Sequence, residues 1–244
     1  MTALPLSRPV AGWSRLTRPD RRPPLWLAAV AVVAGAVLLG LSVGGAGHAG
    51  HHEQGSLVRD WGVWALMVTA MMLPMVNPVV CRVAAGGLWA RRGRTVAEVV
   101  VGYLLPWLGL GLAATVLVRI AAPQPASAGV VAAVLVLAAA WHVAPPRRRI
   151  MSRCGAVQPG ALRGRRATID ALRNGGVLGL RCVATCGPAM AAMLLSHSPV
   201  LMAGVAAVLW SERLRGPNPA ERVAHPAQAV ALLVVALASV MTAS

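Results

Sequence analysis

A chain of 244 residues that is 57% hydrophobic and 12% charged, with a mean hydropathy of +0.66, is no ordinary soluble domain, in which about a quarter of residues carry charge. The formal net charge of +16 would indicate a nucleic-acid partner in a soluble protein; here the arginines fall between long apolar runs and read as topology, with no nucleic acid implied. Four cysteines, most of them in or beside those runs on the reducing side, exclude a disulfide framework.

Residues 1–24 are polar, carry Arg8, Arg15, Arg18, Arg21 and Arg22, and end in Pro23-Pro24, as a cytoplasmic tail would. Residues 25–43 form an unbroken apolar run, longer than a signal-peptide core and preceded by a long leader, and read as a retained anchor. The GHAGHHEQG segment that follows gathers His48, His51, His52 and Glu53, either metal ligands on the outer side or a solvated Gly-rich loop. A second span, 58–83, sets Trp61 and Trp64 at the outer interface, where indoles prefer to sit, and puts Met67, Met71 and Met75 on one face beside Met72. Pro74 and Pro78 interrupt its hydrogen-bond ladder, and Cys81 lies at its inner end.

A third span, 96–120, has Tyr103 and Trp107 one turn apart around Pro106, and a fourth, 128–143, ends beside His142. Residues 146–173 form the longest polar segment, with eight arginines and with Cys154 as an ordinary cytosolic thiol. Spans at 180–199, 200–214 and 226–241 complete the chain, Glu212 pairing with arginines at the inner end of the sixth. With the N-terminus inside, the inner segments hold five, four, eight and three arginines, leaving only Arg59, Arg119 and Arg181 near or within the spans. The expected fold is all-α, a polytopic transmembrane helix bundle of about seven spans with a cytoplasmic N-terminus, residues 25–244 forming one domain.

The chemistry gathers in the fifth span, LRCVATCGPAMAAMLLSHSP. Cys182, Cys186, Met190, Met193 and His197 follow at spacings of four, four, three and four, and at ~100° per residue they share one stripe. Soft sulfur ligands topped by an imidazole suit Cu(I) or another thiophilic ion, while the same residue types are ordinary packing in an apolar helix. Pro188 cannot donate to the carbonyl of Ala184, so a backbone acceptor needs a partner. His142, at membrane depth, either ligates or bonds a carbonyl. Side by side and antiparallel, the second and fifth spans would pair Met67 with Met193, Met71 with Met190, Met75 with Cys186 and Cys81 with Cys182, with Ala70, Ala184, Gly187 and Ala191 easing the approach. His51 and His52 would deliver an ion to His197; in the alternative arrangement the sulfurs face lipid.

Several motifs, in order, resemble a bacterial family of metal-binding integral membrane proteins that includes the membrane copper chaperone of a tyrosinase. They are Ala70-Met71-Met72-Leu73-Pro74-Met75 for its AMMxPM, Tyr103 and Trp107 for its Tyr-x-x-x-Trp, and His142 to Arg147 for its Gln-x-x-Pro-x-[Lys/Arg], followed by Cys154. Cys182, Thr185, Cys186 and Met190 stand for its Cys-x-x-Cys-Cys-x-x-x-Met, and Glu212-Arg213 for its closing Glu-Lys, so the likeness runs over about 58–215. Ile150 and Thr185 replace two family cysteines, and His142 replaces a glutamine. The resemblance implies a multi-pass protein of the bacterial plasma membrane, among lipid, that binds Cu(I) without an organic cofactor and passes it to a copper-requiring client. The alternatives are an ion transporter and a non-metal scaffold. With no ATP-binding loop and no nucleophile–base pair, an enzyme is not expected.

Overall fold

Where water is absent, a helix satisfies its own backbone N–H and C=O groups, so runs of Ala, Val and Leu take up that form. The computed structural model describes residues 25–46, 56–85, 88–121, 127–154, 158, 160–196, 199–215 and 224–241, and among these every regular element is helical. In chain order they are α1 (Leu25–Ala46), α2 (Leu57–Ala85), α3 (Arg92–Ala121), α4 (Ala128–Val143), α5 (Pro145–Arg153), α6 (Gly164–Ser196), α7 (Pro199–Arg215) and α8 (Ala224–Met241), with one 3-10 turn, Trp89–Arg91, ahead of α3.

Local chemistry sets the ends. Ser56 Oγ accepts from Arg59 N at 3.2 Å to cap α2, and Ser127 Oγ accepts from Val130 N at 3.4 Å to cap α4. Ala144 is extended (ψ 135°) because Pro145 follows it, and the proline then opens α5 at a bend of 67° from α4. The polar segment expected at 146–173 is therefore α5, a short connection and the first turns of α6, which begins at Gly164 instead of 180. Gly164 takes a left-handed φ of 73° to enter the helix, Asp170 accepts from Ala161 N at 2.8 Å, and Asn174 donates to Gln158 O at 3.0 Å. Arginine and alanine are good helix formers, so charge alone did not make a loop.

By length and composition α3 and α6 are each long and apolar enough to cross a membrane, and bent α4–α5 makes a third if the pair is one span. The apolar stretches Trp26–Leu41 and Leu201–Ser211 are shorter. Two to three crossings thus meet this measure among the described residues, fewer than the seven expected.

The most extensive packing joins α3 to α6, not α2 to α6 as expected. A methyl group at Gly175 would run into the carbonyl oxygen of Val99, one at Gly179 into that of Tyr103, and one at Gly102 into that of Leu172. These three positions admit no side chain, so two helices running in the same direction lie nearly backbone to backbone. On α2 the corresponding face carries Met67, Met71 and Met75, and α3 and α7 each touch both α2 and α6.

Trp61 and Trp64 fasten α2 to antiparallel α3. Trp61 Nε1 donates to Leu108 O at 3.1 Å and Trp64 Nε1 to Trp107 O at 2.9 Å, Trp64 lying buried where Gly111 leaves room. An indole N–H in an apolar interior needs an acceptor, and here a helix carbonyl serves. Asp60 and Arg119 pair at 2.5 Å near one end of these helices. Near the other end, Glu98 accepts from Arg91 at 3.1 Å, Arg94 at 2.8 Å and Thr168 at 2.9 Å, pinning α3 to α6.

Candidate functional site

The glycine seam has a direct result at Tyr103. With α3 drawn against α6, the phenol hydroxyl bonds Cys182 Sγ at 3.1 Å, both groups buried. Cys186 stands one turn further along the same stripe, with about 5–6 Å between the two Cβ atoms, a reach at which two thiols can hold one soft ion. Thr185, where the family pattern has a cysteine, donates its hydroxyl to Arg181 O at 2.9 Å and lies 3.6 Å from Cys186 Sγ.

Pro188 shapes the other side. It leaves Ala184 O without its helical donor, and Trp141 Nε1 supplies one at 2.9 Å. One residue on, Arg147 Nε donates to Thr185 O at 3.1 Å. Arg147 belongs to α5, and the bend at Ala144 turns that helix onto α6; Arg181 then donates to Arg153 O at 2.7 Å, strapping α5 along it. Arg147 has 0% exposure, a rare state for a guanidinium, and it sits beside the backbone between the two cysteines.

Cys154, expected in a cytosolic loop, ends α5 and is buried at 1% exposure. None of the four cysteines is in a disulfide. Sequence reading treated Tyr103 and Arg147 only as motif landmarks and Thr185 only as a lost ligand. The signals that place them were present as Gly175-x-x-x-Gly179 and as the pairing of Pro188 with an orphaned acceptor four residues earlier.

Met190 and Met193 continue the stripe into the core, and Met67, Met71, Met72 and Met75 of α2 line the same buried cluster, so these thioethers are turned inward. Trp210 Nε1 of α7 donates to Met71 O at 3.1 Å. His142 is buried and its Nδ1 meets Ala138 O at 2.9 Å, a carbonyl bond of the kind expected for an imidazole at that depth. His51, His52 and the neighbouring His48 and Glu53 lie outside the described residues, as does His197. Among the described residues no three His, Cys, Asp or Glu side chains converge to hold a metal ion. A metal held within them would rest on two thiols with thioether support, a donor set suited to Cu(I) and poorly suited to harder divalent ions.

Against known proteins, residues 61–239 match the family model PpoB2, described as a copper chaperone. No curated protein and no solved structure matches the chain. The matched region takes in Tyr103, His142, Arg147, Cys182, Thr185 and Cys186, and it runs past the expected limit of 215 into α8.

Proposed function

Because the chain belongs to the PpoB2 copper-chaperone family, its match covering residues 61–239, we propose that it is an integral membrane chaperone that accepts Cu(I) on sulfur and hands it to a copper-requiring client. The observation that carries this reading is the buried cluster in which Tyr103, Arg147 and Thr185 surround the Cys182/Cys186 pair. Its chemistry is carriage: a soft ion is held by two or three ligands and leaves as a competing sulfur enters, with no bond of an organic substrate made or broken.

The ion rests on Cys182 and Cys186, with Met190 as a third, weaker donor. Met193 and His197 continue the stripe outward, each turn adding ~5–6 Å. Met67, Met71 and Met75 supply thioethers from α2 within the same core, and His142 stays a candidate ligand whose Nδ1 bonds the Ala138 carbonyl one turn back in its own helix. His51 and His52 serve as outer collecting ligands. The client is a tyrosinase-like copper enzyme, and the setting is a bacterial plasma membrane crossed about seven times with the N-terminus inside, which the arginine distribution supports.

Metal analysis of the full chain, purified in detergent under reducing conditions, tests the proposal. Wild type should carry about one Cu(I) per chain in an all-sulfur environment by X-ray absorption, and C182S/C186S should lose it. Copper retained by the double variant, or bound through nitrogen and oxygen alone, would overturn the assignment. Net uptake of copper into sealed vesicles holding the protein would replace chaperone with transporter.

A further inference from the structure

We propose that Trp107 is a positioning residue for the loaded site, its indole N–H donating to the Cys186 thiolate once copper is bound, an inference that rests on the copper reading above. The observation is a donor left over in the core. Trp61, Trp64, Trp141 and Trp210 each donate their indole N–H to a helix carbonyl. Trp107 is buried at 0% exposure, yet among the described residues nothing accepts from its Nε1. A buried donor without an acceptor is costly, and such a group in a settled fold calls for an explanation. For stability alone, an apolar side chain of similar size would serve better there.

The register of the glycine seam points to the acceptor. Helices α3 and α6 run in the same direction, with Gly175 against Val99 and Tyr103 and Gly179 against Tyr103 and Pro106. On that seam the Tyr103 hydroxyl bonds Cys182 Sγ at 3.1 Å. Trp107 lies four residues beyond Tyr103, and Cys186 lies four residues beyond Cys182. One turn carries both forward by the same ~5.4 Å, so in parallel helices Trp107 stands to Cys186 much as Tyr103 stands to Cys182. No nearer donor takes that place. The Thr185 hydroxyl is 3.6 Å from Cys186 Sγ, but the carbonyls of Arg181 and Cys182, at 2.9 and 3.1 Å, compete for its single proton. Trp64, whose ring lies 6.3 Å from that of Trp107, gives its own N–H to Trp107 O.

The bond belongs to the loaded state. A thiol sulfur is a weak acceptor, and Nε1 makes no bond to one in this structure. Binding copper removes the proton from Cys186, which leaves for water or for the thiols of the copper donor, and the remaining thiolate is a strong acceptor. In a buried site that charge needs donors from the protein. Helix α3 then supplies one to each sulfur, Tyr103 to Cys182 and Trp107 to Cys186. The occupied site thereby gains a hydrogen bond that the empty one lacks, which slows release of the ion.

The test reads indole N–H signals by nuclear magnetic resonance in the full chain, reduced, in detergent and labelled with nitrogen-15 at tryptophan, before and after an equimolar amount of Cu(I) or Ag(I). Empty protein should show one signal, absent from W107F, at the upfield position of an unbonded indole. Loading should move it downfield, while Trp61, Trp64, Trp141 and Trp210, bonded throughout, hold theirs. W107F should bind copper at the same pair but lose it to a chelator roughly 10-fold faster, the worth of one hydrogen bond to a charged group. A Trp107 signal that stays unbonded after loading overturns the proposal, and so does one already bonded, to water, in the empty protein. An unchanged off-rate in W107F does the same. Should W107F fail to fold, wild type decides: if no indole signal passes from the unbonded to the bonded position on loading, the proposal falls. Copper binding lost in C182S/C186S beside an unmoved Trp107 signal in wild type would overturn this inference alone. Binding retained in that double variant would bring down the copper reading itself.

Discussion

Replacing Gly175 by alanine tests the seam on which the sulfur site depends. Ordinary contact begins at 3.4 Å, whereas a Cβ at position 175 would stand 2.9 Å from Tyr103 N and closer still to Val99 O. Both are backbone atoms of a regular helix and cannot swing aside, so α3 and α6 must part by about 1 Å. Overpacking of this kind costs about 1–3 kcal/mol. The same movement takes the Tyr103 hydroxyl from 3.1 Å to ~4 Å from Cys182 Sγ and removes a hydrogen bond with a net value of about 1 kcal/mol. The control is Gly109 in α3, where an added Cβ meets nothing within 4 Å and alanine should stabilise the helix by about 0.5–1 kcal/mol. Thermal unfolding in detergent should therefore shift in opposite directions, G175A downward by roughly 5–15 °C and G109A slightly upward. Equal midpoints for the two variants would refute the close-approach argument.

W141F leaves Ala184 O without a donor and should cost about 1–3 kcal/mol, while in a P188A background, where an alanine N–H can reach that carbonyl, the cost should shrink by half or more; a double-mutant cycle on thermal midpoints checks the coupling. Y103F should change stability by no more than about 1 kcal/mol yet speed copper loss to a chelator several-fold, because the hydroxyl steadies Cys182; an unchanged off-rate would remove Tyr103 from the site. E98Q places an amide among Arg91, Arg94 and Thr168 and should cost about 1–3 kcal/mol, chiefly through Arg91 since Arg94 is 70% exposed; a midpoint equal to wild type in low and high salt would count against the pin.

The apolar runs were legible as helices, because length and hydropathy decide that matter locally. The need at Ala184 was also legible, since a proline four residues later removes a donor whatever the fold. What a single helix cannot reveal is the identity of its neighbour. Periodicity puts Met67, Met71 and Met75 on one face and Cys182, Cys186, Met190 and Met193 on another, but both faces meet a shared core, and the close partner of α6 is α3. The glycines that decide this, at 175 and 179, fall between the polar segment expected at 146–173 and the span expected to begin at 180, in residues assigned to neither. Charge also disguised α5, where Arg147 points inward and Arg148 and Arg149 remain exposed. Cys154 was misplaced for the same reason.

The two helices of the glycine seam point the same way, so an oppositely directed crossing must come between them in the chain. During synthesis α3 is finished with its Gly102 face and Tyr103 uncovered, and it waits for α4, α5 and half of α6 to be made. At about 5–20 residues per second this interval is on the order of ten seconds. Only when the seam closes does Cys182 meet Tyr103, so on the proposed copper reading the site is completed in a late docking event. A nascent chain that ends before residue 186 lacks the proposed Cys182/Cys186 pair, so on that reading the ion is loaded only after α6 is made. Faults in assembly should then appear first as protein that is inserted and full-length but empty of metal.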